Sequence, residues 1–187
     1  MPGVLLGRSE GEAPVTGLER GKVRLVEYGD AWPRLFQEEK ERILQAIGQY
    51  VIDVQHVGST AVPGLKAKPI IDIAIGVGRL SQAKEWLHRL EATGCEFREH
   101  SSEPDNLLFV KGNPRTHHLH VVEHGGPEWQ GYLRFRDRLR QDDGLAKEYQ
   151  ELKERLARTY PEDRESYTEG KAAFIRSVIG ADKVGVP

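Results

Sequence analysis

The residues with the clearest chemical potential lie in one segment, where a Gly-Ser-Thr turn precedes a strand that carries a single carboxylate. Gly58 and Ser59 follow a predicted strand, so the turn they form presents free backbone N–H groups at the strand's end. Glycine lets a phosphate group approach closely, and the hydroxyls of Ser59 and Thr60 add donors. Asp72 lies in the next strand, where its carboxylate could hold a divalent metal that bridges those phosphates.

Spacing alone also allows a purely structural interpretation, in which the glycines form turns and Asp72 satisfies buried donors. Asp72 lies inside the apolar run 69–77. A buried carboxylate is costly unless it is paired or bound to a metal, so the position of Asp72 favours a function.

Two histidines, His118 and His120, alternate on a later predicted strand and therefore point to the same face, about 7 Å apart by strand rise. Neutral imidazoles at that spacing can share one transition metal, or one can bind metal while the other acts as a base. A hydrogen-bonded histidine pair in a sheet is the alternative. The alternation turns His117 to the other face, where we assign it no role.

Several basic residues could neutralise a bound phosphate. Lys68 is the best candidate because it lies between the turn and Asp72. Arg136 lies in the helix that follows the histidine strand, and Lys171 lies one turn after Tyr167 on the last predicted helix. Taken singly, each of these cations is more typical of a solvated surface residue.

The elements that must position these residues predict an α+β fold, with a mixed sheet flanked by helices and a helical C-terminal third. Asp30 is the expected N-cap of the first helix, and Gly48 is its expected end. The spacing Ser166–Glu169 predicts a capping box at the start of the last helix, which ends near Gly180. Strands are expected over 51–57, 69–77, 95–100, 106–111 and 116–123, and a further helix over 81–94.

Length and composition set the organisation and the class. The chain has 187 residues, which we divide into a flexible leader, 1–22, and one domain, 23–182. A net charge of −2 makes nucleic acid or a membrane surface an unexpected partner. The single cysteine, Cys95, excludes internal disulfides and a cysteine-built zinc site. No convincing signal peptide or membrane-spanning run is present, so we expect a cytoplasmic protein.

The segments His56–Val77 and His117–Val122 resemble the GrpB family of bacterial proteins, which is placed in the polymerase-beta-like nucleotidyltransferase superfamily. The resemblance covers residues 23–180 and includes Arg134–Asp137 and the closing Tyr167–Ile175 helix. It implies a small mixed sheet in which the Gly-Ser turn holds nucleotide phosphates. Active members of the superfamily bind two divalent metals through three acids.

Carried over residue by residue, Gly58 and Ser59 match the turn and Asp72 matches the first acid. The second acid falls at Ala74 and the third aligns with His120, so the set here contains one acid, an alanine and a histidine. This composition favours an alternative in which the fold persists as a catalytically inactive nucleotide-sensing or interaction module.

The leading hypothesis is a protein that binds a nucleotide or other phosphorylated small molecule with a divalent metal, Mg²⁺ or Mn²⁺ or alternatively Zn²⁺. The expected metal ligands are Asp72, His118 and His120. Asp72 and His120 would be catalytic if a nucleotidyl group is transferred, and a phosphoester hydrolase built on the same three residues is a further alternative. The expected substrate contacts are Gly58, Ser59, Thr60, Lys68, Arg136 and Lys171.

Overall fold

The predicted strands form one mixed sheet in the computed structural model, which describes residues 16–180. Their order across the sheet is β1-β2-β5-β4-β3, in which β2 and β5 are parallel and the other pairs are antiparallel. The parallel pair places the carboxylate strand directly beside the histidine strand. The strands are β1 (Val51–Val57), β2 (Ile71–Val77), β3 (Cys95–Phe97), β4 (Asn106–Lys111) and β5 (His117–Glu123).

Helices cover both faces of this sheet and make up the C-terminal third, which confirms the predicted α+β class. Two helices precede or interrupt the strands, and three follow β5. The helices are α1 (Trp32–Ile47), α2 (Ala83–Glu91), α3 (Pro127–Gln141), α4 (Asp143–Thr159) and α5 (Arg164–Gly180). None of them is long and apolar enough to cross a membrane, within the residues 16–180 that the structure describes.

The two faces of β2 pack against different helices. Ile71, Ile73 and the apolar residues at 75 and 77 lie in the core that α1 and α2 cover. On the other face, Ala74 packs with Trp129 of α3. Gly76 is small for the same reason, since a Cβ atom there would lie 2.9 Å from the Trp129 ring. Helix α3 therefore covers this face of β2 at Ala74 and Gly76. It leaves Asp72, near the N-terminal end of the strand, partly exposed.

Several predicted element ends differ from the structure. Strand β2 begins at Ile71 rather than at 69, because the N–H of Ile70 bonds back to the carbonyl of Lys68, and β5 begins at His117 rather than at 116. Helix α2 spans Ala83–Glu91 rather than 81–94, since a 3₁₀ turn over Leu80–Gln82 precedes it.

Helix α1 begins at Trp32 with Ala31 as N-cap and without a side-chain cap, so the prediction of Asp30 was wrong. Helix α5 begins at Arg164, because the Asp163 carboxylate accepts hydrogen bonds from the backbone N–H and the hydroxyl of Ser166. Strand β3 ends at Phe97, where a short 3₁₀ turn replaces the predicted extension to 100.

The last residues of the predicted leader pack onto the domain. Leu18 forms a β-bridge with Arg115, and its side chain is only 5% exposed. Gly17 donates a backbone hydrogen bond to the carbonyl of Pro69. Residues 16–22 are thus part of the folded unit, whereas 1–15 and the expected domain end at 182 lie outside the described residues.

Candidate functional site: an acid–histidine group beneath a Gly-Ser turn

Asp72, His118 and His120 converge on one face of the sheet. The parallel register sets Asp72 beside His118 and Ala74 beside His120. Asp72 Oδ1 lies 3.0 Å from His118 Nδ1 and 4.0 Å from His120 Nε2. One ligand atom from each residue lies within 4.8 Å of the others, so the group has the donor set and spacing for one divalent cation.

The protonation states of this group suit a cation. Burial would raise the pKa of the Asp72 carboxyl, but the hydrogen bond and charge of His118, followed by the charges of His120 and Lys68, outweigh it, so this pKa lies well below its ordinary value. Burial lowers the pKa of His118 to about 4 and also lowers the pKa of His120. At neutral pH the group is therefore a carboxylate with two neutral imidazoles.

The Gly-Ser turn lies directly over the Asp72 carboxylate. Gly58 follows β1 with φ +70° and ψ −169°, a conformation that is essentially restricted to glycine. A Cβ atom on Gly58 would lie 2.7 Å from Asp72 Oδ2. Ser59 begins the 3₁₀ turn Ser59–Ala61, whose first N–H groups have no acceptor within the turn itself. The glycine therefore makes room for the Asp72 carboxylate, and the N–H groups at the start of the turn favour binding of an anion.

Replacing Gly58 with alanine is expected to destabilise the fold by about 1–3 kcal/mol through the backbone alone. The added Cβ also displaces the Asp72 carboxylate, so cation binding is expected to weaken. Gly64→Ala is the matched control, because Gly64 also has positive φ (+78°) but its Cβ would meet nothing within 4 Å. Denaturant unfolding and Mn²⁺ titration of both variants test this. Equal loss of Mn²⁺ affinity in the two variants would contradict the contact with Asp72.

Four cations surround the open side of this group, and we call Lys68, Lys153, Arg164 and Lys171 the cationic group. The ammonium groups of Lys68 and Lys171 lie over the Tyr167 ring, at 5.1 and 4.6 Å from its centre. Arg164 donates from Nη2 to His118 Nε2 at 3.2 Å. Lys153 is almost fully buried, and its Nζ lies 3.0 Å from the Ser59 hydroxyl.

The cationic group carries more positive charge than Asp72 can neutralise. Burial, followed by the charges of Lys171 and Arg164, lowers the pKa of Lys68 well below its ordinary value. Burial, with the charge of Arg164 and against the opposing effect of Asp72, lowers the pKa of Lys171 to about 8. Burial and the charge of Lys171 lower the pKa of Lys153 to about 7. An anion bound here would relieve this repulsion.

Two predicted substrate contacts, Thr60 and Arg136, are not brought to the acid–histidine group. The Thr60 hydroxyl is buried and lies 2.9 Å from His56 Nε2. Arg136 donates to Asp137, to Gln55 and to the backbone carbonyl of His56. Both side chains thus stabilise edge strand β1 and the turn after it. The other four predicted contacts, Gly58, Ser59, Lys68 and Lys171, lie at the site.

Sequence reasoning missed several residues at the site. Tyr132 lies in α3, and its hydroxyl lies 2.9 Å from His120 Nδ1, a contact that the helical pattern does not indicate. Lys153 follows Tyr149 by one turn on the apolar stripe of α4, and a lysine at that position was an available signal. No local pattern singles out Arg164. His117 points to the opposite face as predicted, where its Nδ1 lies 2.9 Å from the Thr116 hydroxyl.

Together these features define an α+β protein with an acid–histidine group and a cationic group beneath a Gly-Ser turn. The chain belongs to the GrpB protein family, whose model matches residues 22–180. The glutamate-rich protein GrpB of Alkalihalophilus pseudofirmus is 37% identical over 175 residues, which cover 87% of this chain and 97% of that protein. The resemblance noted in the sequence is therefore confirmed.

A solved structure from the same family shows the same architecture. The crystal structure of the conserved protein GrpB from Enterococcus faecalis aligns with a TM-score of 0.78 and 32% identity, over 84% of this chain and 96% of that one. The Cid1 poly(U) polymerase aligns more loosely, with a TM-score of 0.45 and 11% identity over 77% and 49% of the two chains.

Proposed function

We propose that this protein binds a nucleotide or related phosphoester together with a divalent metal. The observation that carries the proposal is the position of the Asp72 carboxylate, which lies beneath the Gly58–Ser59 turn and beside the cationic group. The charge of Asp72 acts on Lys68, Arg164 and Lys171, yet its closest partners are two neutral imidazoles. The remaining positive charge suits phosphate oxygens, and the acid–histidine group suits a cation.

The residues divide into two sets by chemistry. Asp72, with imidazole nitrogen from the histidines, would hold the metal, and this mixed donor set suits Mn²⁺ or Zn²⁺ better than Mg²⁺, which prefers oxygen. A bound divalent metal would neutralise charge on the phosphate oxygens. Lys68 and Lys171 would bind the phosphates from the Tyr167 side, and the first N–H groups of the turn would bind them from above.

Transfer of a nucleotidyl group is the most specific form of this proposal. Residues that position phosphates and neutralise their charge supply most of the catalysis in phosphoryl transfer. Asp72 and His120 would be the residues closest to the reacting atoms. The acceptor would approach from the solvent side, because Asp72 retains 31% of its side-chain exposure.

A second candidate is a nucleotide-binding module without catalysis, and one observation favours it. Ala74, where the superfamily pattern has a second acid, is fully buried against Val57, Val122 and Trp129. A second metal has no ligand at that position. Product analysis separates the candidates: labelled nucleotide incubated with Mn²⁺ and a panel of acceptors yields a transferred label or pyrophosphate only if the protein is an enzyme.

The cytoplasmic location and the phosphorylated small-molecule partner remain predictions.

The binding of ATP is expected to weaken as the pH rises from 7 to 9.5 and to take up protons near pH 8. The ordinary pKa of a lysine is 10.5, and burial lowers that of Lys171 to about 8, so Lys171 loses its charge across this range. A bound anion favours the charged form and raises this pKa, which requires proton uptake. The phosphates of ATP remain ionised throughout.

Calorimetry in buffers of different ionisation enthalpy measures this uptake. Lys171→Gln is expected to lower the affinity for ATP about tenfold or more and to reduce the proton uptake. Lys147→Gln is the control, because Lys147 lies exposed on α4. Wild-type affinity that is constant from pH 7 to 9.5 would exclude Lys171 from the anion site.

A further inference from the structure

A line of hydrogen bonds leads from His120 away from the metal position. Tyr132 Oη lies 2.9 Å from His120 Nδ1, and the Asn106 amide nitrogen donates to Tyr132 Oη at 2.7 Å. The Asn106 amide oxygen is buried and has no hydrogen-bond partner among residues 16–180. An unpaired buried acceptor costs about 1–3 kcal/mol, so this arrangement calls for an explanation.

These contacts fix where the His120 proton lies. The Tyr132 hydroxyl has one hydrogen, and because its oxygen accepts from Asn106, that hydrogen is free to be donated to His120 Nδ1. His120 then carries its own proton on Nε2, which is directed towards Asp72 Oδ1 at 4.0 Å. In this arrangement His120 has no lone pair to offer a metal.

His118 is held in the other tautomer. The Arg164 guanidinium can only donate, so His118 Nε2 accepts from it at 3.2 Å. The His118 proton therefore lies on Nδ1 and is donated to Asp72 Oδ1 at 3.0 Å. Both ring nitrogens of His118 are occupied, whereas His120 has one nitrogen that a change in its hydrogen-bond partners can free.

We propose that Tyr132 and Asn106 are positioning residues that select the tautomer of His120 and so make it the histidine ligand of the metal, while His118 orients Asp72. Rotation of the Asn106 amide by 180° brings its oxygen to Tyr132, whose hydroxyl then donates to Asn106. Tyr132 Oη is left to accept from Nδ1–H of His120, and Nε2 presents its lone pair beside Asp72.

The two states contain the same number of protons. His120 loses the Nε2 proton and gains one at Nδ1, an exchange that solvent water mediates, while the Tyr132 hydrogen only changes direction. Rotation gives the Asn106 oxygen a donor but takes the amide NH₂ group away from Tyr132, so Asn106 makes one hydrogen bond to Tyr132 in either state. The bond from Nε2 to the metal therefore supplies the free energy that selects the second tautomer.

The inference rests on the proposed metal site, but its first test does not. Long-range ¹H–¹⁵N correlation spectra of the histidine side chains report each tautomer directly in the metal-free protein. We expect His118 with its proton on Nδ1 and His120 with its proton on Nε2. On addition of Zn²⁺, a diamagnetic probe, His120 is expected to change to the Nδ1–H tautomer while His118 keeps its own.

The outcomes separate the two proposals. The predicted metal-free tautomers without a response to Zn²⁺ would support the hydrogen-bond assignment and contradict the metal site. A Zn²⁺ response in which His118 becomes the ligand and His120 keeps its proton on Nε2 would overturn the inference while leaving a metal site in place.

Two substitutions are expected to act in opposite directions on Zn²⁺ affinity. Tyr132→Phe removes the acceptor of Nδ1–H and is expected to weaken binding about 10–100-fold. Asn106→Asp supplies an oxygen that can only accept, which holds the Tyr132 hydroxyl in the metal-binding direction, so affinity is expected to rise several-fold. Tyr50→Phe is the control, because Tyr50 precedes β1 at the end away from Gly58.

Melting temperatures measured alongside show whether each variant folds. If Asn106→Asp does not fold, the histidine spectra of Tyr132→Phe and of the wild type test whether Tyr132 selects the tautomer of His120. Weaker binding by Tyr132→Phe and Asn106→Asp alike, with both variants folded, would indicate a purely structural role for the pair and contradict tautomer selection.

Discussion

Asp72→Asn is expected to reduce Mn²⁺ affinity about 100-fold or more, because it removes the only anionic ligand of the acid–histidine group. The amide keeps the shape of the side chain, and its oxygen can still accept from His118. The same change is expected to strengthen metal-free binding of tripolyphosphate several-fold, since it removes a negative charge beside Lys68 and Lys171. Calorimetric titration with each ligand measures the two effects.

The opposite signs make this variant informative. Asp53→Asn is the matched control, because Asp53 lies on the neighbouring strand β1 and bonds to Val54 and Gln55 at the far end of the sheet face. It is expected to leave both affinities unchanged. Mn²⁺ binding by Asp72→Asn at wild-type strength would remove Asp72 from the metal site.

Ala74→Asp is expected to destabilise the protein by about 3 kcal/mol or more and not to create a second metal ligand. Ala74 is fully buried against Val57, Val122 and Trp129. A carboxylate there would displace the Trp129 ring, and the apolar neighbours of Ala74 would not compensate its desolvation. For a domain of this size, the expected fall in melting temperature is about 10 °C.

Two comparisons control this prediction. Ala173→Asp places the same side chain on the exposed face of α5 and is expected to cost less than about 1 kcal/mol. Ala74→Val adds volume without charge and separates overpacking from burial of the carboxylate. If Ala74→Asp folds with wild-type stability and gains Mn²⁺ affinity, then α3 does not seal this position in solution, and a two-metal site becomes the better description.

Part of the site could be predicted because side chains on a β-strand alternate between its two faces. The side chains of His118 and His120 alternate with two apolar residues, so their shared face is a property of the strand itself. That β5 lies beside β2 in parallel register could be expected only from the family resemblance, because no short pattern encodes which strands pair. The sequence thus predicted that Asp72 and the histidines lie close together. The 3.0 Å contact between Asp72 Oδ1 and His118 Nδ1 could be seen only in the structure.

The missed residues have a different origin. Arg164 and Tyr132 come from helices that pack on the sheet, and their contacts depend on helix orientation rather than on local sequence. Arg136 was expected at the site because it follows the histidine strand, but the helix turns its side chain to the edge strand, where it donates to the carbonyl of His56. Thr60 continues the turn, yet its hydroxyl faces His56, since consecutive residues of a 3₁₀ turn point in different directions.

Ala74 shows how packing can decide chemistry. From the sequence, an alanine at this position is only a missing acid. In the structure, Ala74 and Gly76 are small because Trp129 packs against both, so α3 occupies the space that a second metal and its ligand would need. The lack of an acid at position 74 therefore goes together with the close packing of α3 on this face of the sheet.

The affinity of the wild-type protein for tripolyphosphate, measured by calorimetry with and without saturating Mn²⁺, tests the central claim most directly. Tripolyphosphate carries the phosphate chain of a nucleoside triphosphate without a base, so the result does not depend on base preference. If Asp72 and the cationic group bind metal and phosphates together, the Mn²⁺ complex binds at least about tenfold more tightly than the free anion. Equal binding of the two forms, or tighter binding of the free anion, would contradict a metal-assisted phosphate site.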